Sequence, residues 1–374
     1  MKIVADNKIP FLKGVLEPLA EVVYAPGGEI SKALLKDADA LITRTRTLCN
    51  RHLLEGTKVQ LIASATIGYD HIDADWCAQH NIAWTNAPGC NAGSVKQYIG
   101  AVLALLVSEK CWQLQGKTMV VVGVGNVGRK VSAMAKAIGM QVYEVDPPRA
   151  RAEGSRHFHA LEAVVSKADI ITFHTPLISE GKDKTYHLCD KHLLSKMKQN
   201  AVLINSSRGE VIDGTALKAA LQKNEIGAAV LDVWENEPNI DPTLLELVWV
   251  ATPHIAGYSQ DGKARGTALS VQALSRFFHL GRDNWEPGNL PAPEQEIVPL
   301  HEGEEREEEQ IARAILHTYP LRNDDANLRN QPEDFENLRG SYPVRREFHA
   351  YTLPAAIRDT ALITKLKALG FTNY

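Results

Sequence analysis

The chain of 374 residues is short of several things, and each shortage removes a class of function. Its five cysteines (Cys49, Cys77, Cys90, Cys111, Cys189) are odd in number, scattered, and form no CxxC pair. That excludes a disulfide framework and a cysteine-built zinc site, and it reads as reduced, cytoplasmic usage. No long hydrophobic run occurs; the longest, near Ile99 to Val107, is too short to span a bilayer, so no membrane partner is expected. Charge of one sign is not in excess: the formal net charge is -4, which argues against a nucleic-acid surface. The opening Met-Lys-Ile-Val-Ala-Asp lacks a signal-peptide pattern and reads as a β-strand.

What remains is a globular composition, 44% hydrophobic and 23% charged, too long for one ordinary core. Short apolar runs alternate with helical patterns. Strands are predicted at Lys2 to Ala5, Glu21 to Tyr24, Ala40 to Thr43 and Gln60 to Ala63, with helices at Gly14 to Glu21 and, capped by Ser31, at Lys32 to Lys36. This half reads as a flavodoxin-like domain whose polar loops, Arg44-Thr45-Arg46 and Thr66-Ile67-Gly68, follow strand ends where ligands bind.

The next segment organises the chain. A β-rich run, Met119 to Val122, meets Gly123-x-Gly125-x-x-Gly128. A helical pattern follows from Arg129 to Ile138, and a second strand, Gln141 to Val145, ends in Asp146. Strand, glycine loop, helix and terminal acid are what a dinucleotide-binding βαβ unit requires. Gly123 makes the turn, Gly125 admits a pyrophosphate, Gly128 lets helix pack on strand, and the helix N-terminus favours the anion. Asp146 accepts from the ribose hydroxyls and selects NAD over NADP, although Arg149 and Arg151 lie close behind it. Further strands are predicted at Asp169 to His174, Ala201 to Asn205, Ala228 to Asp232 and Val248 to Ala251, making a second parallel sheet with helices on both faces.

Three polar groups follow predicted strands of this sheet. Arg208 follows Leu203-Ile-Asn-Ser-Ser, and its planar fork suits a carboxylate or an oxyanion. Asp232, Glu235 and Glu237 follow another strand, and His254 follows the last. A carboxylate paired with that histidine makes an acid–base couple able to take a proton from an alcohol near neutral pH. The pair His157 and His159 follows a charged loop without nearby partners, so no metal site is expected.

The glycine fingerprint, Phe173-His-Thr-Pro-Leu, Asn205-Ser-Ser-Arg-Gly, Leu231-Asp-Val-Trp-Glu-Asn-Glu-Pro and Thr252-Pro-His-Ile-Ala-Gly resemble the D-isomer-specific 2-hydroxyacid dehydrogenases over residues 1 to about 285. The resemblance implies two doubly wound parallel-sheet domains: a discontinuous substrate domain, 1–94 with 257–285, and a Rossmann NAD domain, 95–256. It implies a catalytic trio of Arg208, Glu237 and His254. For the cofactor it implies Gly123, Gly125, Asn126, Val127, Gly128, Asp146, Thr175, Ser206, Ser207, Arg208, Asp232 and Gly257. Substrate is expected at Arg44, Thr45, Arg46, Thr66, Ile67, Gly68 and Tyr258. Two arginines in one loop suit a phosphate at the substrate's far end, though a plain surface pair reads equally well from the residues.

The linker after Glu286 leads to a small α+β domain, 286–374, with a strand at Glu296 to His301, an acidic solvated helix start through residue 309, and strand alternation from Arg346 to Leu353. This domain resembles the extra domain of the family's vitamin B6 branch. That implies 4-phospho-D-erythronate as substrate, homodimerisation through the domain, and a phosphate contact from Arg345 or Arg346. The readings weighed against it are another family member, such as one for 3-phosphoglycerate, and an NAD-sensing corepressor-like binding protein. The pattern departs from many relatives at one place: Asn91-Ala-Gly-Ser-Val95 is followed by Lys96-Gln97, where an acid is usual.

Overall fold

The computed structural model describes residues 1–300 and 305–373. They form two compact units, Met1–Asn91 with Ser259–Pro291, and Ala92–Tyr258 with Ala292–Tyr374.

In the first unit, five parallel strands stand in the order β2-β1-β3-β4-β5. They are β1 (Lys2–Asp6), β2 (Glu21–Ala25), β3 (Ala40–Thr43), β4 (Leu61–Ser64) and β5 (Ala83–Thr85). This is the flavodoxin-like order, and β3 and β4 are buried throughout, as continuous apolar strands covered on both faces must be. The helix Gln260–Phe278 returns to this unit and packs Val271 and Leu274 against Ile3, Ala5, Ile42 and Ala63. Gly266 lets it approach closely, because a Cβ there would strike the carbonyl of Ala65.

The second unit carries six parallel strands in the order β11-β10-β9-β8-β6-β7. These are β6 (Thr118–Val122), β7 (Gln141–Val145), β8 (Ile170–Phe173), β9 (Val202–Asn205), β10 (Ala228–Leu231) and β11 (Val250–Ala251). The order turns back at β6, between β7 and β8, and the glycine loop leaves β6 at that switch point. The helix Ala92–Lys110 is buried on nearly every side, as its apolar run from Tyr98 to Val107 demands. Its side chains belong to one core with Val121 and Val131 of the nucleotide fold and with Ile311, Ile315, Leu362 and Leu366 of the C-terminal segment.

That segment is mostly helical: Glu307–Thr318, Leu321–Asn330, Phe335–Gly340 and Thr360–Leu369, with a short parallel pair, Thr352–Leu353 on Thr372–Asn373. It also covers the sheet's open edge. Asp325 accepts from the Ala251 amide at 2.8 Å, Arg322 donates to the Trp249 carbonyl, and Arg329 donates to the carbonyls of Leu245 and Val248. Backbone groups that an edge strand leaves open are thus taken up by side chains.

Four local expectations need correcting. Residues 14–21 form turns and the start of β2, not a helix. Gly14 sits at φ +86°, the Glu17 carboxylate captures the amides of Gly14 and Leu16, and Pro18 has no N–H to give. Ser31 occupies the N-cap of Lys32–Leu35 but makes no capping hydrogen bond. Residues 346–351 are not a strand: the Arg346 carbonyl is bonded by the Gln97 side chain, and a 3-10 turn follows at Phe348–Ala350. At 296–300 only Ile297 bridges, to Thr352, while His301 and the acids up to residue 304 lie outside the described residues.

Candidate active site

The glycine loop is shaped for close approach. Gly123 has φ +86°, and a Cβ on it would come within 2.6 Å of the His174 carbonyl oxygen. A Cβ at Gly128 would overlap the Gly123 carbonyl, whereas one at Gly125 would meet nothing within 4 Å, so space opens on the loop's outer side. The helix Asn126–Ala137 starts there, with Gly125 and Asn126 exposed, Val127 half-buried, and no side chain capping its first amides. Asp146 ends β7; its two oxygens accept from the Val124 amide at 2.8 Å and the Arg149 amide at 3.1 Å. The two arginines behind it are committed elsewhere, Arg149 to Glu153 and Arg151 to Asp183.

Thr175 Oγ1 and Ser206 Oγ, at the ends of β8 and β9, are buried with no hydrogen-bond partner. Buried hydroxyls without partners are costly, and an incoming polar ligand would satisfy them. The open cradle at Gly125, the exposed helix N-terminus, Asp146 and these hydroxyls together fit a dinucleotide.

Beyond β9 the chain is held by Asn205, which sequence reading passed over. Its side chain accepts from the Ser207 amide (3.1 Å) and hydroxyl (2.8 Å), and donates to the Arg208 carbonyl (2.8 Å). Gly209 then lies so close to Trp234 that a Cβ would collide with its backbone. Arg208 is thereby set on a fixed loop, half-buried, with Nη1 donating to the Ser207 carbonyl.

The three acids after β10 divide their work. Asp232 is 1% exposed; it accepts from the Thr252 hydroxyl (2.7 Å) and from the amides of Ile255 (2.8 Å) and Ala256 (2.9 Å). Burial pushes its carboxyl above the usual range against the pull of those donors and of His254. Glu235 binds His187 at 2.7 Å and the Gly214 amide. Glu237 accepts from the Trp234 amide at 2.9 Å and pairs with His254 Nδ1 at 2.8 Å. Burial drives the Glu237 carboxyl up, but the His254 ring, the Trp234 amide and the Arg339 charge together hold it below its ordinary value. With Nδ1 engaged, Nε2 is the imidazole nitrogen left for chemistry. His254 is itself in the left-handed region, φ +55°.

Tyr258 packs edge-on to Tyr342, with ring centroids 5.8 Å apart, and Arg339 lies over its face. Gly257 is half-buried beside it. Of the two C-terminal arginines read as phosphate contacts, Arg345 is 5% exposed and donates to the carbonyls of Ile255 and Ala256. The Arg346 carbonyl accepts from Gln97.

In the first unit, Arg44 follows β3 and donates to the fully buried Asp6 at 3.0 Å, while Thr45 and Arg46 are exposed on the same loop. After β4, Thr66 bonds Ser64 and the Gly68 carbonyl, and Asn86 donates to the Ile67 carbonyl at 2.7 Å. Asn86 is a second positioning side chain that motif reading did not single out. In the second unit, His159 packs edge-on against Tyr143. Among the described residues no three His, Cys, Asp or Glu side chains form a metal-holding cluster, and no helix is long and apolar enough to cross a membrane.

The profile described as "D-isomer specific 2-hydroxyacid dehydrogenase, NAD binding domain" matches residues 106–256, and one described only as a domain of unknown function matches 290–370. Erythronate-4-phosphate dehydrogenase of Bacteroides fragilis (strain YCH46) is 49% identical over 355 residues, covering 94% of this chain and 99% of the relative. The protein of the same name from Escherichia coli O157:H7 (strain EC4115 / EHEC) is 40% identical over 99% of this chain and 98% of its own. A D-lactate dehydrogenase structure from Aquifex aeolicus, complexed with NAD and lactic acid, superposes with a TM-score of 0.63 at 24% identity. It covers 78% of this chain and 100% of its own, which shows the shared fold. An NAD-dependent formate dehydrogenase from Staphylococcus aureus gives 0.59 at 25%, over 76% and 97%. The chain is an NAD-binding oxidoreductase and belongs to the D-isomer-specific 2-hydroxyacid dehydrogenase family.

Proposed function

We propose that the chain oxidises 4-phospho-D-erythronate at C2, giving (R)-3-hydroxy-2-oxo-4-phosphobutanoate, in cytoplasmic pyridoxal 5′-phosphate synthesis. The observation that carries the chemistry is the His254–Glu237 pair, 2.8 Å apart, on the same sheet edge as Arg208. The substrate is taken from the name shared by the relatives at 40–49% identity. His254 Nε2 takes the proton of the C2 hydroxyl while Glu237 keeps the ring oriented and balances the charge it gains. Arg208 holds the substrate carboxylate and draws on the C2 oxygen as it becomes a carbonyl. NAD, when bound, supplies the acceptor for the C2 hydride. Asn126, Val127 and the glycines hold its phosphates, Asp146 its ribose, Thr175, Ser206 and Ser207 line its path, and Asp232 and Gly257 lie toward its carboxamide. Tyr258, Thr66, Ile67 and Gly68 are assigned to the substrate's acid end, and Arg44, Thr45 and Arg46 to its phosphate.

The chain is further proposed to work as a homodimer through its C-terminal segment, which carries the exposed apolar side chains Ile297 and Val344. A steady-state assay with 4-phospho-D-erythronate and NAD, run beside NADP and 3-phosphoglycerate, tests the reading. Turnover should need NAD and the erythronate, and should vanish in His254→Asn while NADH still binds. Preference for 3-phosphoglycerate, or full turnover by His254→Asn, overturns it.

A further inference from the structure

His254 occupies a backbone conformation that histidine does not choose by itself. A left-handed residue without glycine's freedom costs about 1–3 kcal/mol and persists only where its surroundings dictate it. Two sets of contacts do so here. On one side, Asp232 binds the amides of Ile255 and Ala256, and its own carbonyl accepts from the His254 amide at 2.6 Å. On the other, Arg345 Nη2 donates to the carbonyls of the same two residues, at 3.2 Å to Ile255 and 2.6 Å to Ala256. The turn that follows the histidine is therefore gripped by an acid through its N–H groups and by a base through its C=O groups.

The guanidinium is itself built in. It lies 4.3 Å over the Tyr319 ring and 5.6 Å from the centre of Tyr342. The hydroxyls of both tyrosines donate to the buried Asp324, each at 2.7 Å. A charge so deeply placed is expensive unless its donors are used, and its acceptors here are the two carbonyls of the catalytic turn, from Nη2, and the Tyr342 hydroxyl, from Nη1 at 3.4 Å. The hold continues upstream, where Arg322, Asp325 and Arg329 engage the backbone between Leu245 and Ala251.

We propose that Arg345 is a positioning residue for His254, and that the C-terminal domain holds the catalytic turn in its working conformation through it. This rests on His254 being the base of the proposed reaction. Removing the guanidinium leaves the turn to Asp232 and to the Tyr258 amide, which donates to the Ile255 carbonyl at 2.8 Å, and lets the imidazole wander from the hydroxyl; small misplacements of reacting groups cost up to about 10²-fold in rate.

The test uses the full-length enzyme with Arg345→Ala, Arg345→Lys and His254→Asn. Arg345→Ala should lower kcat about 10–100-fold, with KM for 4-phospho-D-erythronate and the NADH Kd within about threefold of wild type. Added guanidinium, at concentrations below those that unfold the protein, should restore part of kcat by refilling the slot over Tyr319. Arg345→Lys keeps the charge but loses the planar guanidinium that lies over Tyr319, so it should fold and show an intermediate kcat; it carries the test if the alanine variant does not fold. Wild-type kcat in Arg345→Lys or Arg345→Ala, beside an inactive His254→Asn, sinks the inference and leaves the reaction standing. A kcat loss that guanidinium does not restore, accompanied by an equal loss of NADH binding, also sinks it. Full activity in His254→Asn fails the reaction assignment instead.

Discussion

At the residue scale, two acids after β10 are told apart by the histidine each one holds. Glu235 and Glu237 each pair with a histidine at short range, yet Glu235 also binds the amide at the start of the helix Gly214–Gln222. Glu237 serves the histidine of the turn. Glu237→Gln places an amide opposite His254 Nδ1. An amide N–H donating to Nδ1 leaves the proton on Nε2, where the base should be empty. We expect kcat to fall about 10²–10⁴-fold with NADH binding retained; a loss below threefold in steady-state assays would contradict this. His174 yields a different prediction. Burial drops its pKa to about 3 from an ordinary 6.5, and its Nδ1 is sealed without a partner. The folded state then binds fewer protons than the unfolded one, so stability is whole above pH 6.5 and drains as pH falls toward 3. His71, also lowered by burial, acts in the same direction. Thermal melting of the apo protein between pH 7 and 5 should therefore fall more steeply for wild type than for His174→Gln; parallel curves would refute it.

At the element scale, the helix Ala92–Lys110 explains the one departure from the family pattern. Gln97 is fully buried, and its amide donates to the Thr318 hydroxyl at 3.0 Å and to the Arg346 carbonyl at 2.8 Å. An acid at this position has no proton to give that carbonyl. Beside it, Glu347 receives the Ser94 hydroxyl near the helix start, in space left open by Gly93. Gln97→Glu should cost about 1–3 kcal/mol in urea unfolding at neutral pH, by turning the Arg346 carbonyl and a carboxylate against each other. An unchanged midpoint would show the contact to be idle. These contacts also mark the boundary of what could be read from the residues. Buried parallel strands announced themselves as apolar runs, and each of the eleven large-sheet strands save β5 lies within a residue or two of a predicted run. The candidate site residues stood out because they are polar groups directly after apolar strand runs, where ligands bind in open parallel sheets. Asn86, Gln97 and Arg345 were not legible in those roles, because each bonds a backbone carbonyl between 19 and 249 residues distant. A period or motif sees only neighbours along the chain. The helix expected at 14–21 failed for the opposite reason: its apolar spacing was real, but Gly14 and Pro18 decided the backbone.

At the scale of the whole molecule, the segment from residue 292 onward is part of the nucleotide-binding unit's own core. Deleting residues 292–374 should strip one face of the 92–110 helix and uncover the β11 edge. The truncated protein should be insoluble or should melt far below the full chain, and a truncated form with native melting and activity would refute the shared core. If the segment also carries the dimer contact, light scattering on the full-length protein should return twice the chain mass.

The shared core has a consequence for synthesis. The ribosome releases the 92–110 helix about 200 residues before the helix Glu307–Thr318 that covers it. At roughly 5–20 residues per second, the nascent chain carries that uncovered apolar face for about 10–40 s. For about the last 56 residues of that interval, from Ala251 to Glu307, the nucleotide-binding fold is complete in its strands but unfinished on one side. Newly made chains, rather than mature enzyme, are where aggregation and chaperone capture should concentrate.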